Sequence, residues 1–273
     1  MIHRKLAVVC AAGGTSCSYC GGALAALAME HGIKNPDYII AASGSAATAL
    51  YYLTGQYDSM RRIWTEHICS PRFLSFLRFK KMLDVDYLID TIIRNKEPLE
   101  LEKLAASPTR YFFPIKNATT GQGRYLSCEE GLDVYEALRA TKALPFFYGR
   151  KVTIDGEQYV DSAFNLTKED GVILAAEQGA THILLIETNN QTKSSFMTFI
   201  NKSFSQFSSS KRKRHDHGRF DIQIVRMGPD KNPAPPLTRN PALLSAAYLK
   251  GYEDMRDHSQ VKQFLSSFDY TIR

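Results

Sequence analysis

The chain alternates short apolar runs with segments whose apolar positions recur at helical spacing. "LAVVCA" (6–11) reads as a buried strand, and after a glycine-rich turn "GALAALAMEHGI" places Leu24, Leu27 and Ala28 on one helical face and stops at Gly32. "PDYIIAAS" followed by "AATALYYLTG" repeats strand, turn and helix, with Gly55 at the helix end. Residues 60–105 are predicted helical and amphipathic, with Phe73, Phe76, Leu77, Tyr87, Leu88 and Ile92 as apolar positions; the aromatic "FLSFLRF" (73–79) is read first as a core-facing stripe and second as a peripheral lipid contact. "RYFFPIKNATTGQGRYLS" predicts two strands about a glycine-containing turn, "GLDVYEALRATKAL" a helix halted at Pro145, and "KVTIDGEQYV" a hairpin turning at Asp155-Gly156. Beyond "DSAFNL" come a helical "EDGVILAAEQGA", a buried strand "THILLIET" and a strand "FDIQIVRM". Behind the proline-rich "NPAPPLTRNP", a long surface helix is expected over 240–268. There is no internal repeat. The alternation predicts an α/β fold of three layers, α/β/α, with a mostly parallel central sheet whose sites gather at the C-terminal ends of the strands.

Composition narrows this picture. A chain of 273 residues can bury one large core, and a single domain over 1–273 is expected. Its hydrophobic fraction of 44% and charged fraction of 23% are those of an ordinary globular protein. No apolar run approaches the roughly 20 residues of a spanning helix. Much of the net charge of +6 comes from Lys211–Arg214, "KRKR", in a predicted surface loop near 205–219. That loop is read first as solvated, then as a peripheral contact with an anionic membrane, and last as a nuclear address; no nucleic-acid partner is expected. Five cysteines, an odd number without repeated spacing, point to a reducing, cytoplasmic setting. Cys17 and Cys20 form a CxxC, but no second pair follows at zinc spacing, so no metal is expected. The basic start and short apolar stretch of "MIHRKLAVVCAAGG" imitate a secretory signal; a buried first strand explains them better.

Three stretches carry candidate chemistry. In "SGSAATAL" (43–50), Ser45 is centred between small residues two before and two after it, Ser43 and Ala47, as a nucleophile elbow between strand and helix requires. A capping turn would use the same residues. In "AAGGTSCSYCGG" the glycines can aim consecutive N–H groups at an oxyanion, although close helix packing would also use them. The stretch matches neither GxGxxG nor the P-loop, so a nucleotide site is poorly supported. In "YVDSAFN", Asp161 follows a hairpin strand, where a carboxylate could face a serine hydroxyl or simply cap a turn.

As an ordered set these stretches resemble the patatin-like phospholipases, whose members carry a GGGxRG turn, a GxSxG elbow and a late DGG or DGA. "AGGTSC" (12–17), "SGSAA" (43–47) and "DSA" (161–163) stand for the three, and the resemblance extends over most of residues 6–190. Ala12 and Cys17 stand where the family has glycine, Ser16 where it has arginine, Ser43 and Ala47 at the elbow glycines, and Ser162 after the aspartate. The resemblance implies a Ser45-Asp161 dyad without histidine, an acyl-enzyme, and an oxyanion hole from the amides of Gly13, Gly14 and Ala46. It implies a lipid acyl ester as substrate and no cofactor. The alternative reading is a catalytically silent lipid- or protein-binding module on the same fold.

Overall fold

The computed structural model describes residues 4–78, 81–162, 165–188 and 222–268. The chain first builds β1 (Leu6–Cys10), α1 (Ser18–Met29), β2 (Tyr38–Ala41), α2 (Gly44–Leu53), α3 (Tyr57–Thr65), a π-helix (Tyr87–Lys96) and α4 (Leu101–Ala106). It continues through β3 (Arg110–Asn117), β4 (Gly123–Ser127), α5 (Val134–Ala140), β5 (Val152–Ile154), β6 (Glu157–Asp161) and α6 (Lys168–Glu177). After β7 (His182–Ile186) and β8 (Gln223–Met227) come α7 (Pro241–Asp257) and α8 (Ser259–Ser266).

Strand alternation divides the core into two layers. Leu6, Val8 and Cys10 of β1 enter one apolar cluster with Ile39, Ala41, Leu184 and Ile186, while Ala7 and Val9 enter a second with Tyr38, Ile40, Ile183 and Leu185. Both faces of the central strands are therefore buried, which is why they read as continuous apolar runs. α1, α2 and α7 contribute to the first cluster and α6 to the second, giving the expected α/β/α layering.

The strands β3, β2, β1, β7 and β8 are parallel neighbours in that order, and β4, β6 and β5 add antiparallel pairings at β3 and beyond. Register fixes where Asp161 lies. Phe112 pairs with Ile40 of β2 and with Ser127 of β4, whereas Ile115 pairs with Arg124 of β4 and Asp161 of β6. β2 and β6 thus take successive stretches of the same edge of β3. The end of β6 is brought beyond the C-terminal end of β2, where α2 begins.

Two expected helices differ. Residues 60–105 are not one helix: α3 ends at Thr65, the described residues before the π-helix hold a short 3-10 helix (His67–Cys69) and a bridge between Leu74 and Leu83, and α4 follows separately. The aromatic stripe divides accordingly, with Phe73 buried while Phe76 and Leu77 are 64% and 98% exposed. The helix expected over 240–268 is two, broken where His258 ends α7 and caps α8 through its ring on the Val261 amide. Nor is α7 a surface helix. A Cβ on Gly22 of α1 would lie 1.8 Å from the Tyr248 carbonyl oxygen, and one on Gly251 of α7 1.9 Å from that of Tyr19, so the two helices touch backbone to backbone. The second glycine pair of "AAGGTSCSYCGG" therefore serves packing. The basic loop around Lys211–Arg214 lies outside the described residues.

Candidate active site

The turn between β2 and α2 closes on Ser43. Ser43 has φ 51° and ψ −115°, a positive φ outside the basins favoured by a residue with a side chain, and Gly44 is the first residue of α2. Such a conformer costs of order 1–3 kcal/mol and persists only where its surroundings enforce it. Here they do. Thr141 Oγ1 accepts from the Ser43 amide at 3.2 Å, and the Ser43 carbonyl accepts from the Ala46 amide at 3.1 Å and from Lys142 Nζ. A Cβ on Gly44 would stand 2.4 Å from the Gly14 carbonyl oxygen and 2.8 Å from Cys17 Sγ, so only glycine fits there.

Ser45 lies differently from the sequence expectation. It is wholly buried within the first turn of α2, and its hydroxyl donates to the Ala11 carbonyl at 2.8 Å. Burial pushes the nearby Cys17 thiol up to about 12. Ser43 is half-buried and lines a cavity of about 380 Å³; Ser45 does not line it. The Ala46 amide, expected to bind an oxyanion, is committed to the Ser43 carbonyl.

That cavity sits at the C-terminal ends of β1 and β2. Gly13, Gly14, Ser43 and Gly44 form part of its wall, and Tyr51, Met60, Ile63, Trp64, Phe73 and Leu88 extend it as an apolar chamber. Small-molecule sites are typically such concave apolar spaces with a few converging polar groups. The Gly13 and Gly14 amides have no acceptor among the described residues. Both glycines are required: a Cβ on Gly13 would lie 2.3 Å from Thr188 Oγ1, and on Gly14, with φ +56°, 2.3 Å from the Pro236 carbonyl oxygen. The proline-rich stretch braces this loop. Thr15 donates through its amide to the Pro236 carbonyl at 2.8 Å and through Oγ1 to that of Pro235 at 3.0 Å, and Ser16 Oγ donates to the Ala234 carbonyl at 2.8 Å.

Asp161 is the last residue of β6, buried, with its amide on the Ala143 carbonyl at 3.0 Å. Its carboxyl acts electrostatically on Lys142 and Cys17. The structure thus brings Gly13, Gly14, the β2–α2 turn and Asp161 to one end of the sheet. Two residues of this cluster carry no candidate chemistry in the sequence: Ser43 is read there only as a small neighbour of Ser45, and Lys142 has no reading. Ser43 satisfies the same small-residue frame as Ser45, with Ala41 and Ser45 two positions either side, and its place directly after the strand was the available signal. Nothing in "RATKALP" announces that Lys142 is buried.

Three comparisons agree with this architecture. A family model described as patatin-like phospholipase matches residues 8–166. An uncharacterized protein, YjjU of Escherichia coli K12, is 24% identical over 192 residues, covering 67% of this chain and 52% of that protein, so the chain spans about half the length of this curated relative. The crystal structure of VipD from Legionella pneumophila superposes over 97% of this chain and 67% of its own, with a TM-score of 0.52 at 13% identity, a likeness of fold.

Proposed function

Since the chain belongs to the patatin-like phospholipase family, we propose that it is a serine hydrolase of lipid acyl esters whose nucleophile is Ser43 and whose base is Asp161. The observation that carries this reading is the strained Ser43 turn opening onto an apolar cavity beside the Gly13-Gly14 loop. Ser43 replaces Ser45 in the role, and Gly44, the residue after it, replaces Ala46 as the third oxyanion donor.

The chemistry is acyl transfer in two halves. Ser43 Oγ attacks the ester carbonyl carbon as its proton passes to the Asp161 carboxylate, and the carbonyl π electrons move onto oxygen. The amides of Gly13, Gly14 and Gly44 receive that oxyanion, where each donor contributes about 3–4 kcal/mol to barrier lowering. Collapse of the tetrahedral species expels the alcohol, which takes the proton from Asp161. Water then attacks the acyl-enzyme, gives its proton to Asp161 and releases the fatty acid, with the proton returning to Ser43 Oγ. The chamber lined by Trp64, Phe73 and Leu88 would hold the acyl chain.

A lipid surface is the matching source of substrate. Phe76 borders a shallow depression shared with Leu237, which also lines the cavity, and Phe146, 70% exposed, adjoins the lining residue Phe147. No helix among the described residues is long and apolar enough to cross a membrane, so such contact would be peripheral. The test is hydrolysis of a short-chain p-nitrophenyl ester and of phospholipid vesicles. Ser43→Ala and Asp161→Asn should each lower kcat by at least about 1,000-fold with melting temperatures retained. Turnover undiminished in Ser43→Ala overturns the assignment, and no turnover of any ester by the native chain would leave a lipid-binding module.

A further inference from the structure

Three consecutive residues following α5 join the strained turn to the strand that ends in Asp161. Thr141 Oγ1 accepts from the Ser43 amide at 3.2 Å and donates to the Pro114 carbonyl at 3.0 Å, so it anchors the turn to β3. Lys142 reaches the same turn from below: Nζ donates to the Ser43 carbonyl and lies 3.5 Å from that of Gly44. The Ala143 carbonyl then accepts from the Asp161 amide at 3.0 Å. Lys142 is only 7% exposed, and what exposure it has is to the cavity.

A lysine is seldom buried, because removing an ammonium from water is costly unless it is paired or hydrogen-bonded. The groups facing this one are the Ser43 and Gly44 carbonyls of the turn, the Cys17 thiol from the 3-10 helix Gly14–Cys17, and the Asp161 carboxyl from β6. An ammonium on a carbonyl makes a charge-assisted bond, stronger than a neutral one. Its acceptor here is the carbonyl of the residue whose backbone is strained.

We propose that Lys142 is a positioning residue: its ammonium holds Ser43 in attacking conformation through the main-chain carbonyl and fixes a positive charge beside Asp161 that keeps the base ionised. This rests on the reading of Ser43 and Asp161 as the working pair. As Asp161 takes the serine proton it becomes neutral, and Lys142 remains as a positive charge bonded to the turn that carries Ser43. Burial pulls the Lys142 ammonium down to about 8, opposed by Cys17 and Asp161. The cation is therefore complete below that pH and lost above it, so kcat/KM falls as pH rises through about 8.

Two measurements test the proposal. In protein carrying lysine labelled with 13C at Cε, the resonance missing from Lys142→Met should titrate near pH 8, and lower in Asp161→Asn; a titration that Asp161→Asn leaves unmoved overturns the proposal. That resonance reads Lys142 whether or not the chain hydrolyses an ester, so it separates failure here from failure of the Ser43 reading, which would appear as no fluorophosphonate labelling of the native chain. In the labelling experiment, Lys142→Met should react about 100-fold more slowly at pH 7. Lys142→Arg should recover to within about 10-fold and lose the decline above pH 8, since guanidinium stays charged. A merely structural lysine would shift the melting temperature and leave the pH profile of the arginine variant unchanged. Native labelling rates in Lys142→Met, or a native rate that climbs through pH 8 as though Lys142 were a base, overturn the proposal.

Discussion

At the scale of single residues, the site turns on a two-residue difference in register. "SGSAATAL" contains two serines two positions apart, and both meet the requirement for small neighbours. What separates them is backbone conformation, which spacing does not encode: Ser43 has the positive φ, whereas Ser45 already lies inside α2. That Asp161, Gly13 and Gly14 lie at one end of the sheet was legible, because all three follow strands in the sequence pattern. Lys142 was not, since burial of a lysine depends on what packs over it. Ser45→Ala should leave kcat within about 10-fold of native and cost about 1 kcal/mol of stability, the worth of its bond to the Ala11 carbonyl, as read by urea denaturation. Gly44→Ala should behave oppositely. Its Cβ would meet the Gly14 carbonyl oxygen at 2.4 Å, so the turn and the glycine loop must separate and ester hydrolysis should fall by at least about 100-fold.

At the scale of elements, periodicity identified the strands well because those of the central sheet are buried on both faces and contain few polar residues. It overran on the helices. Residues 60–105 carry apolar side chains at helical spacing, yet Pro71 and the turns around it break the run, and the stripe includes residues that end in solvent. The glycines of α1 and α7 show why a helix read as superficial is a core element: Gly22 and Gly251 let main chains meet. Gly22→Val should lower stability by at least about 3 kcal/mol, because overpacking here strikes backbone rather than a movable side chain, and thermal or urea unfolding would register it.

The end of the π-helix supplies an acid-sensitive joint. The Arg62 guanidinium, bonded through both Nε and Nη2, holds the Glu97 carboxyl down at about 2, with His67 adding a third bond at 3.1 Å. A carboxyl whose folded pKa lies below its unfolded value stabilises above the unfolded value and loses that contribution as pH falls. The stability difference between native and Glu97→Gln should therefore be full above about pH 5 and shrink steadily toward pH 2. A difference constant across that range would contradict the assignment.

At the scale of the whole molecule, the parallel sheet brings the ends of β1 and β2 to one apolar chamber, and Phe76, Leu77 and Phe146 stand exposed on the segments that also supply the lining residues Phe73 and Phe147. Neither property is readable from composition, because Phe76 and Leu77 lie on one segment and Phe146 on another, about 70 residues apart in sequence. Replacing Phe76, Leu77 and Phe146 by serine should reduce hydrolysis of vesicle phospholipid by about 10-fold or more while sparing a soluble ester, since only the interfacial substrate uses the rim. An equal effect on both substrates would tie these residues to the chamber instead.

In the proposed mechanism the elbow presents Ser43 to substrate and keeps Ser45 as a structural residue. Peptide mapping by mass spectrometry after reaction with a fluorophosphonate decides it most directly, because phosphonylation marks the hydroxyl that attacks. An adduct on Ser43 is expected, absent from Ser43→Ala and retained in Ser45→Ala. An adduct on Ser45, or one that survives Ser43→Ala, would contradict it.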